Sequence, residues 1–318
     1  MADIYVRPYG EKPKNPLRFL LPVMLIATVV GGVIWWWLDR PESTDEPTQE
    51  APAADVAVEQ PASVVSETPP TAAETASAVD AQRIYNQAQA QLAAGKLVQA
   101  SALLDEVIEK ASDPALKNNA LRVQGRVNVQ LFLSPVPTPE KKSYVIQPGD
   151  SLDRIARKNG TTVELIRAMN GIKGNLIYPG ARLMLPAAPF TVEVHKAARQ
   201  LNLKMGDKLF KRYSVGVGRY GKTPVGTFHT VVHQKNPDWT PPSGGIVPFG
   251  DPRNVLGTRW MSFEDKARPD LKGFGIHGTA NRESIGGETS NGCIRMLNED
   301  VEEVFLLIPR GTQVVIQE

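Results

Sequence analysis

Cysteine is almost missing from this chain: one stands among 318 residues, so no internal disulfide can form. Charge of one sign is missing too, because 36 Lys and Arg against 34 Asp and Glu leave a formal charge of +2. No basic field dominates, which argues against nucleic acid as a partner. Of the four histidines, His195, His229 and His233 show no metal-ligand spacing and read as surface or strand residues, so no metal site is expected. Charge is absent again from the twenty residues Phe19 to Leu38, a length that crosses a bilayer as a helix. Arg7, Lys12, Lys14 and Arg18 precede that run, which by the positive-inside rule keeps residues 1–18 cytoplasmic and exports the chain beyond Leu38. Trp-Trp-Trp-Leu-Asp-Arg offers no small-residue cleavage site, so the expectation is an uncleaved single-pass anchor at 19–38 with the remainder exported. A lone cysteine in an exported chain is either incidental or kept for reactivity.

Aromatics are absent from residues 39–78, where Pro, Ala, Thr, Ser and acidic residues dominate and Arg40 is the one basic residue. Such a segment cannot bury a core and reads as a disordered linker, spanning roughly 35 Å r.m.s. as a flexible chain. Residues 79–134 carry helical periodicity in Ile84, Ala88 and Leu92, then in Leu97, Ala100, Leu103, Leu104 and Val107. Gly95-Lys96 breaks them into a hairpin, and Asp113-Pro114 opens a third helix as N-cap and first residue. The pattern resembles a single tetratricopeptide repeat plus a helix, short of the three or more that a free-standing solenoid needs. A helical spacer or self-association element is the expectation. The run Ser134-Pro-Val-Pro-Thr-Pro139 marks a boundary.

Residues 141–187 begin with an extended Tyr144-Val-Ile and continue with Pro148-Gly149-Asp150-Ser151-Leu152. One helix is predicted around Leu152, Ile155 and Ala156, and a second around Val163, Leu165, Ile166 and Met169. Asn170-Gly171 ends it, and Ile177-Tyr178-Pro179-Gly180 leads into a strand at Arg182–Leu185. This β-α-α-β order with these residues resembles a lysin-motif (LysM) domain. The resemblance implies binding of N-acetylglucosamine-containing glycan strands, in a groove between Gly149, Asp150, Ser151 and Leu152 on one side and Asn175, Ile177, Tyr178 and Pro179 on the other. One such module would mainly raise local concentration on a polymer.

Residues 189–318 read as strands separated by Gly-rich turns, at Thr191–Val194, Leu209–Val215, Thr227–Val232, Phe274–His277 and Gln313–Ile316. One helix fits Glu299 to Leu307, with Asn298 as its cap. The cysteine lies here, in Ser290-Asn291-Gly292-Cys293-Ile294-Arg295-Met296, with His277-Gly278-Thr279 sixteen residues upstream of it. A thiol near pKa ~8.5 needs a neighbouring base to act as a nucleophile at neutral pH, and a loop can bring this histidine to it. The alternative is a buried structural cysteine.

With Gly216-Val-Gly218, Thr223-Pro224-Val-Gly226-Thr-Phe228, Asn236-Pro237-Asp-Trp239, Pro241-Pro242 and Asn254-Val-Leu-Gly257-Thr-Arg259 also in order, the segment resembles the YkuD-type L,D-transpeptidase catalytic domain. The resemblance implies Cys293 as nucleophile, His277 as its base, and a carbonyl at Gly278 that orients the ring. Gly292 and Cys293 amides would receive an oxyanion, and Ser290 and Asn291 would join them as oxyanion- or substrate-binding residues. Arg295 would bind a substrate carboxylate or brace the site. The commoner family form has histidine at Asn291, and asparagine cannot take a proton.

The implied reaction is thiolate attack on the diamino-acid carbonyl of a peptidoglycan tetrapeptide stem, loss of D-alanine, and acyl transfer to an amine. The acceptor would be a second stem, giving a 3–3 cross-link, or a protein. No cofactor is expected, and the resemblance implies that the anchor lies in a bacterial inner membrane with the catalytic part in the periplasm. A hydrolase on the same scaffold and a non-catalytic membrane-to-murein tether are the alternatives. The expected fold class is multidomain: transmembrane helix, helical hairpin, LysM, mainly-β catalytic domain.

Overall fold

The computed structural model describes residues 72–318. Among them no helix is long and apolar enough to cross a membrane. This corrects the expected fold class, membrane partner and single-pass location. The run Phe19–Leu38, on which those expectations rested, lies outside the described residues, as does most of the expected linker.

Helix α1 (Ala72–Ala93) begins inside the stretch read as linker; its many alanines favour helix. Gly95, in the left-handed region at φ +71°, turns the chain into α2 (Leu97–Lys110). Asp113 accepts hydrogen bonds from the Ala115 and Leu116 amides and so caps α3 (Pro114–Phe132), with proline at its first position. Ile84, Ala88, Leu104, Val107, Ala120, Val123 and Val127 form the core between the three helices. Fully buried alanines at 88, 100 and 120 leave room for close helix approach.

Strand β1 (Lys141–Val145), helices α4 (Leu152–Lys158) and α5 (Val163–Asn170), and strand β2 (Arg182–Pro186) form the next module. The two strands pair antiparallel from Lys141 opposite Pro186 to Val145 opposite Arg182. Ser151 and Thr162 cap the helices through the Arg154 and Leu165 amides, and Gly171 at φ +64° closes α5. Asn170 ties α5 to β2, donating to the Met184 carbonyl at 2.8 Å and accepting from the Met184 amide at 2.7 Å.

The C-terminal module comprises β3 (Phe190–His195), β4 (Gln200–Met205), β5 (Lys208–Ser214), β6 (Val217–Gly218), β7 (Gly226–Lys235), β8 (Arg259–Glu264), β9 (Gly275–Thr279), β10 (Glu288–Ser290), β11 (Ile294–Leu297), α6 (Asn298–Leu307) and β12 (Gln313–Gln317). Eight strands make one sheet in the order β11-β9-β8-β7-β12-β3-β4-β5. Alternating buried and half-buried residues along β3 and β4 show the period of two that the sequence carries. Helix α6 lies against β9, and Val301, Val304 and Leu307 are fully buried there. The expected cap is corrected: Asn298 is the first residue of α6, the capping position is Leu297, and no side chain caps the helix.

The modules are not separate beads. Edge strand β5 is covered by α3: Asn128 donates to the Phe210 carbonyl at 2.8 Å, which satisfies a group that an open edge would expose. Phe132 of α3 meets Phe190 and Phe210 edge-to-face, each at 5.4 Å. Leu165 and Met169 of α5 join the same hydrophobic core. Lys141 is buried and donates to the Leu131 carbonyl at 2.6 Å and the Ser134 carbonyl at 2.7 Å. It thereby binds β1 to the C-terminal end of α3, where a cation is favoured.

Candidate active site

Strand β11 runs parallel to β9, with Ile294 opposite Ile276 and Arg295 opposite His277. Cys293 is the residue before β11. Alternation along the two strands places Cys293, Arg295 and His277 on one face. The other face meets α6, since a Cβ on Gly278 would stand 3.0 Å from Val301 Cγ1.

Ser290 organises the turn that presents the thiol. Its hydroxyl donates to the Cys293 carbonyl at 2.6 Å and accepts from the Gly292 amide at 3.0 Å. Gly292 holds φ +125°, and a Cβ there would lie 3.0 Å from the Lys222 carbonyl oxygen, so the bend requires glycine. The Gly292 amide is therefore occupied by Ser290, while the Cys293 amide has no acceptor among the described residues. Asn291 is exposed. Gly218 backs the turn: a Cβ on it would lie 2.7 Å from Gly292 Cα. Thr223, fully buried, accepts from the Gly218 amide at 2.8 Å and holds that loop.

His277 is 2 % exposed and donates through Nδ1 to the Gly278 carbonyl at 2.8 Å. A carbonyl only accepts, so Nδ1 carries the proton and Nε2 keeps its lone pair. Burial lowers the imidazole to about 4, against the Gly278 hydrogen bond, and the Arg295 charge pushes the same way as burial. The ring is neutral at neutral pH. The half-buried Cys293 thiol is pushed up by burial, opposed by a backbone hydrogen bond at Gly275 and by the Arg295 charge. Its sulfur donates to the Gly273 carbonyl at 3.6 Å, not to His277. The resting pair is thus neutral thiol and neutral imidazole.

Arg295 donates through Nη1 to Thr289 Oγ1 at 3.1 Å, and its buried Nε has no partner among the described residues. Burial lowers the guanidinium's affinity for its proton, the nearby Cys293 sulfur opposes this, and Arg219 adds to the lowering. No carboxylate among the described residues pairs with Arg295, so it retains donors for an anion. Arg219, Gly218, Thr223 and Asn298 escaped sequence reasoning as site residues. The glycine-containing strings around 218 and 257 were the available signal.

In the βααβ module both expected loops leave the same end of the β1–β2 ladder, joined by the Gly180 amide donating to the Ile146 carbonyl at 2.8 Å. Asp150 accepts from the Tyr144 hydroxyl and the Gln147 amide. Ser151 is a helix cap, Leu152 is buried, and the Gly149 carbonyl accepts from Arg154. Those four residues build the loop. Asn175, Tyr178 and Pro179 are exposed and Ile177 half-buried; Leu176, which sequence reasoning passed over, is exposed as well. A cavity of about 860 Å³ lined by Leu133, Thr162, His233, Arg259 and Phe305 includes neither Cys293 nor His277.

The face that carries the single thiol also carries a neutral imidazole and a guanidinium with no carboxylate partner among the described residues, the groups that cysteine acyl transfer uses. Residues 189–316 match the family model described as the L,D-transpeptidase (YkuD) catalytic domain, and residues 144–186 match the LysM model. A Bacillus licheniformis protein named as an L,D-transpeptidase, YkuD, is 35% identical over 181 residues, covering 54% of this chain and 97% of its own. Its Bacillus subtilis namesake is 34% identical over 182 residues, covering 55% and 98%. The B. subtilis protein YqjB, likewise named, is 38% identical over 141 residues, covering 44% and 77%. The chain belongs to the YkuD-type L,D-transpeptidase family, with a LysM domain ahead of the catalytic domain. It is a cysteine-dependent L,D-transpeptidase.

Proposed function

We propose that Cys293, His277 and the Gly278 carbonyl carry the transpeptidation, with the Cys293 amide and Arg295 receiving the substrate. Nε2 of His277 takes the thiol proton as sulfur attacks the carbonyl of the third, diamino-acid residue of a tetrapeptide stem. The oxygen's developing charge is received by the free Cys293 amide. An imidazole held at about 4 by burial makes a strongly acidic imidazolium. It returns its proton readily to the departing D-alanine nitrogen, and a thioester remains. An acceptor amine then attacks the thioester, its proton passes to Nε2, and the thiol is regenerated as the new amide forms. Arg295, with donors free, suits a carboxylate of the stem. The Asn175–Pro179 loop supports contact with the glycan strand.

The observation that carries this reading is the 2.8 Å bond from Nδ1 to the Gly278 carbonyl, because it leaves the basic nitrogen free on the face that bears Cys293. The test incubates the full chain, Cys293→Ala and His277→Gln with purified tetrapeptide muropeptides, followed by mass spectrometry. D-alanine release with a 3–3 dimer, lost in both variants, is expected. Release with tripeptide alone points to a hydrolase, and undiminished turnover by Cys293→Ala sinks the assignment.

A further inference from the structure

We infer that Asn298 is a positioning residue for His277, acting through the Gly278 peptide. The inference rests on His277 being the base. Three segments distant in sequence meet at one oxygen. Asn298 Oδ1 accepts from the Thr258 amide at 3.1 Å, and it stands where a Cβ on either Gly278 or Gly257 would collide with it. Gly257, at φ +61°, lies so close that its own Cβ would stand 2.6 Å from the Gly278 carbonyl carbon and 2.8 Å from its oxygen. From the third side, the Gly278 amide donates to the Leu256 carbonyl at 3.1 Å. The Gly278 peptide is therefore clamped between the 256–258 segment and the start of α6. Its carbonyl is the group that holds the proton on Nδ1 of His277.

The placement of Asn298 within its helix points the same way. Asparagine is among the strongest N-cap residues, and a helix loses stability without such a cap. Here it sits one position too late to cap α6, which has no side-chain cap at all. The residue that would suit the helix end has been turned across to Thr258. A local rule is broken where a site gains, as at functional positions generally. Both bonds from Thr258 use only Oδ1, so an acceptor is required and the amide nitrogen is not. Without that acceptor the 256–258 segment is released, and the Gly278 carbonyl can rotate away from Nδ1. The imidazole then populates the opposite tautomer, whose Nε2 carries the proton and cannot act as base.

The test compares the full chain with Asn298→Ala, Asn298→Asp and His277→Gln. Imidazole nitrogen shifts report the His277 tautomer, and the rate of Cys293 acylation by a carbapenem reports the base. Asn298→Ala is expected to shift His277 toward the Nε2-protonated tautomer and slow acylation by roughly tenfold to a hundredfold, the scale of small misplacements. Asn298→Asp keeps the acceptor and is expected to retain the wild-type tautomer and acylation within about threefold, a small change on that scale. Asn298→Ala with wild-type nitrogen shifts overturns the inference, whatever its melting temperature, and so does Asn298→Asp behaving like Asn298→Ala. His277→Gln at the wild-type rate would instead overturn the base assignment, while the nitrogen shifts of Asn298→Ala still decide the clamp.

Discussion

Burial raises the Cys293 thiol and lowers the His277 imidazole to about 4, which disfavours a preformed thiolate–imidazolium pair. Alkylation of Cys293 by a small uncharged reagent should therefore rise through neutral into alkaline pH. A rate plateau between pH 5 and 7 would mean a standing ion pair. Acylation that uses His277 as base should keep its base at neutral pH and lose it only as pH falls toward 4. Gly218 belongs to the same scale. In Gly218→Ala a Cβ placed 2.7 Å from Gly292 Cα and 2.8 Å from the Thr223 amide must displace the thiol turn. Acylation should drop by at least about tenfold, and a variant that acylates at the wild-type rate would remove Gly218 from this role. Of these residues, Cys293 and His277 were marked as candidates by the strings they stand in, and Gly278 and Arg295 by the family resemblance. Gly218 and Asn298 were not, because what they touch lies 74 and 40 positions away, at Gly292 and Thr258 respectively.

At the scale of elements, the capped helices were readable: Asp113-Pro114 opens α3 as its chemistry dictates. The start of α6 was misread by the same logic, since cap propensity is local and the competing Thr258 amide arrives from another segment. Lys141 is a second element-scale device invisible in sequence. It is buried with its ammonium on two carbonyls, and burial lowers its pKa. Lys141→Met should cost roughly 1–3 kcal/mol, the penalty for leaving those carbonyls unsatisfied, read as a lower denaturation midpoint. No change would show that water replaces the ammonium freely.

Over the whole molecule, the described chain shares one core between α3, α5 and the sheet. Phe132→Ala, at a side chain 1 % exposed between two phenylalanines, should destabilise by about 3–5 kcal/mol. It should lower the melting temperature of the catalytic domain together with the helices; two separate transitions would mean that the modules fold independently. Acid stability has a sign set by His277, which is buried, and His233, which is half-buried. His277 and His233 are both lowered to about 4 from an ordinary 6.5. Between those values the unfolded chain binds protons that the folded chain refuses, so stability falls as pH drops from about 6.5 to about 4. Asp105 and Asp300, raised by burial, act in the opposite sense. His233→Phe, packed on Phe305, should lessen the loss measured by melting at pH 7 and pH 4.5.

The sequence by itself marked the helices, though not all of their ends, several of the strands, and Cys293 with His277 as the candidate pair, because periodicity, caps and motif strings are local. Only the tertiary structure decided which amide remains free for an oxyanion, what pins the Gly278 peptide, and that three modules share a core. Those depend on groups brought together from distant segments, where competing partners are settled by packing rather than by neighbours along the chain.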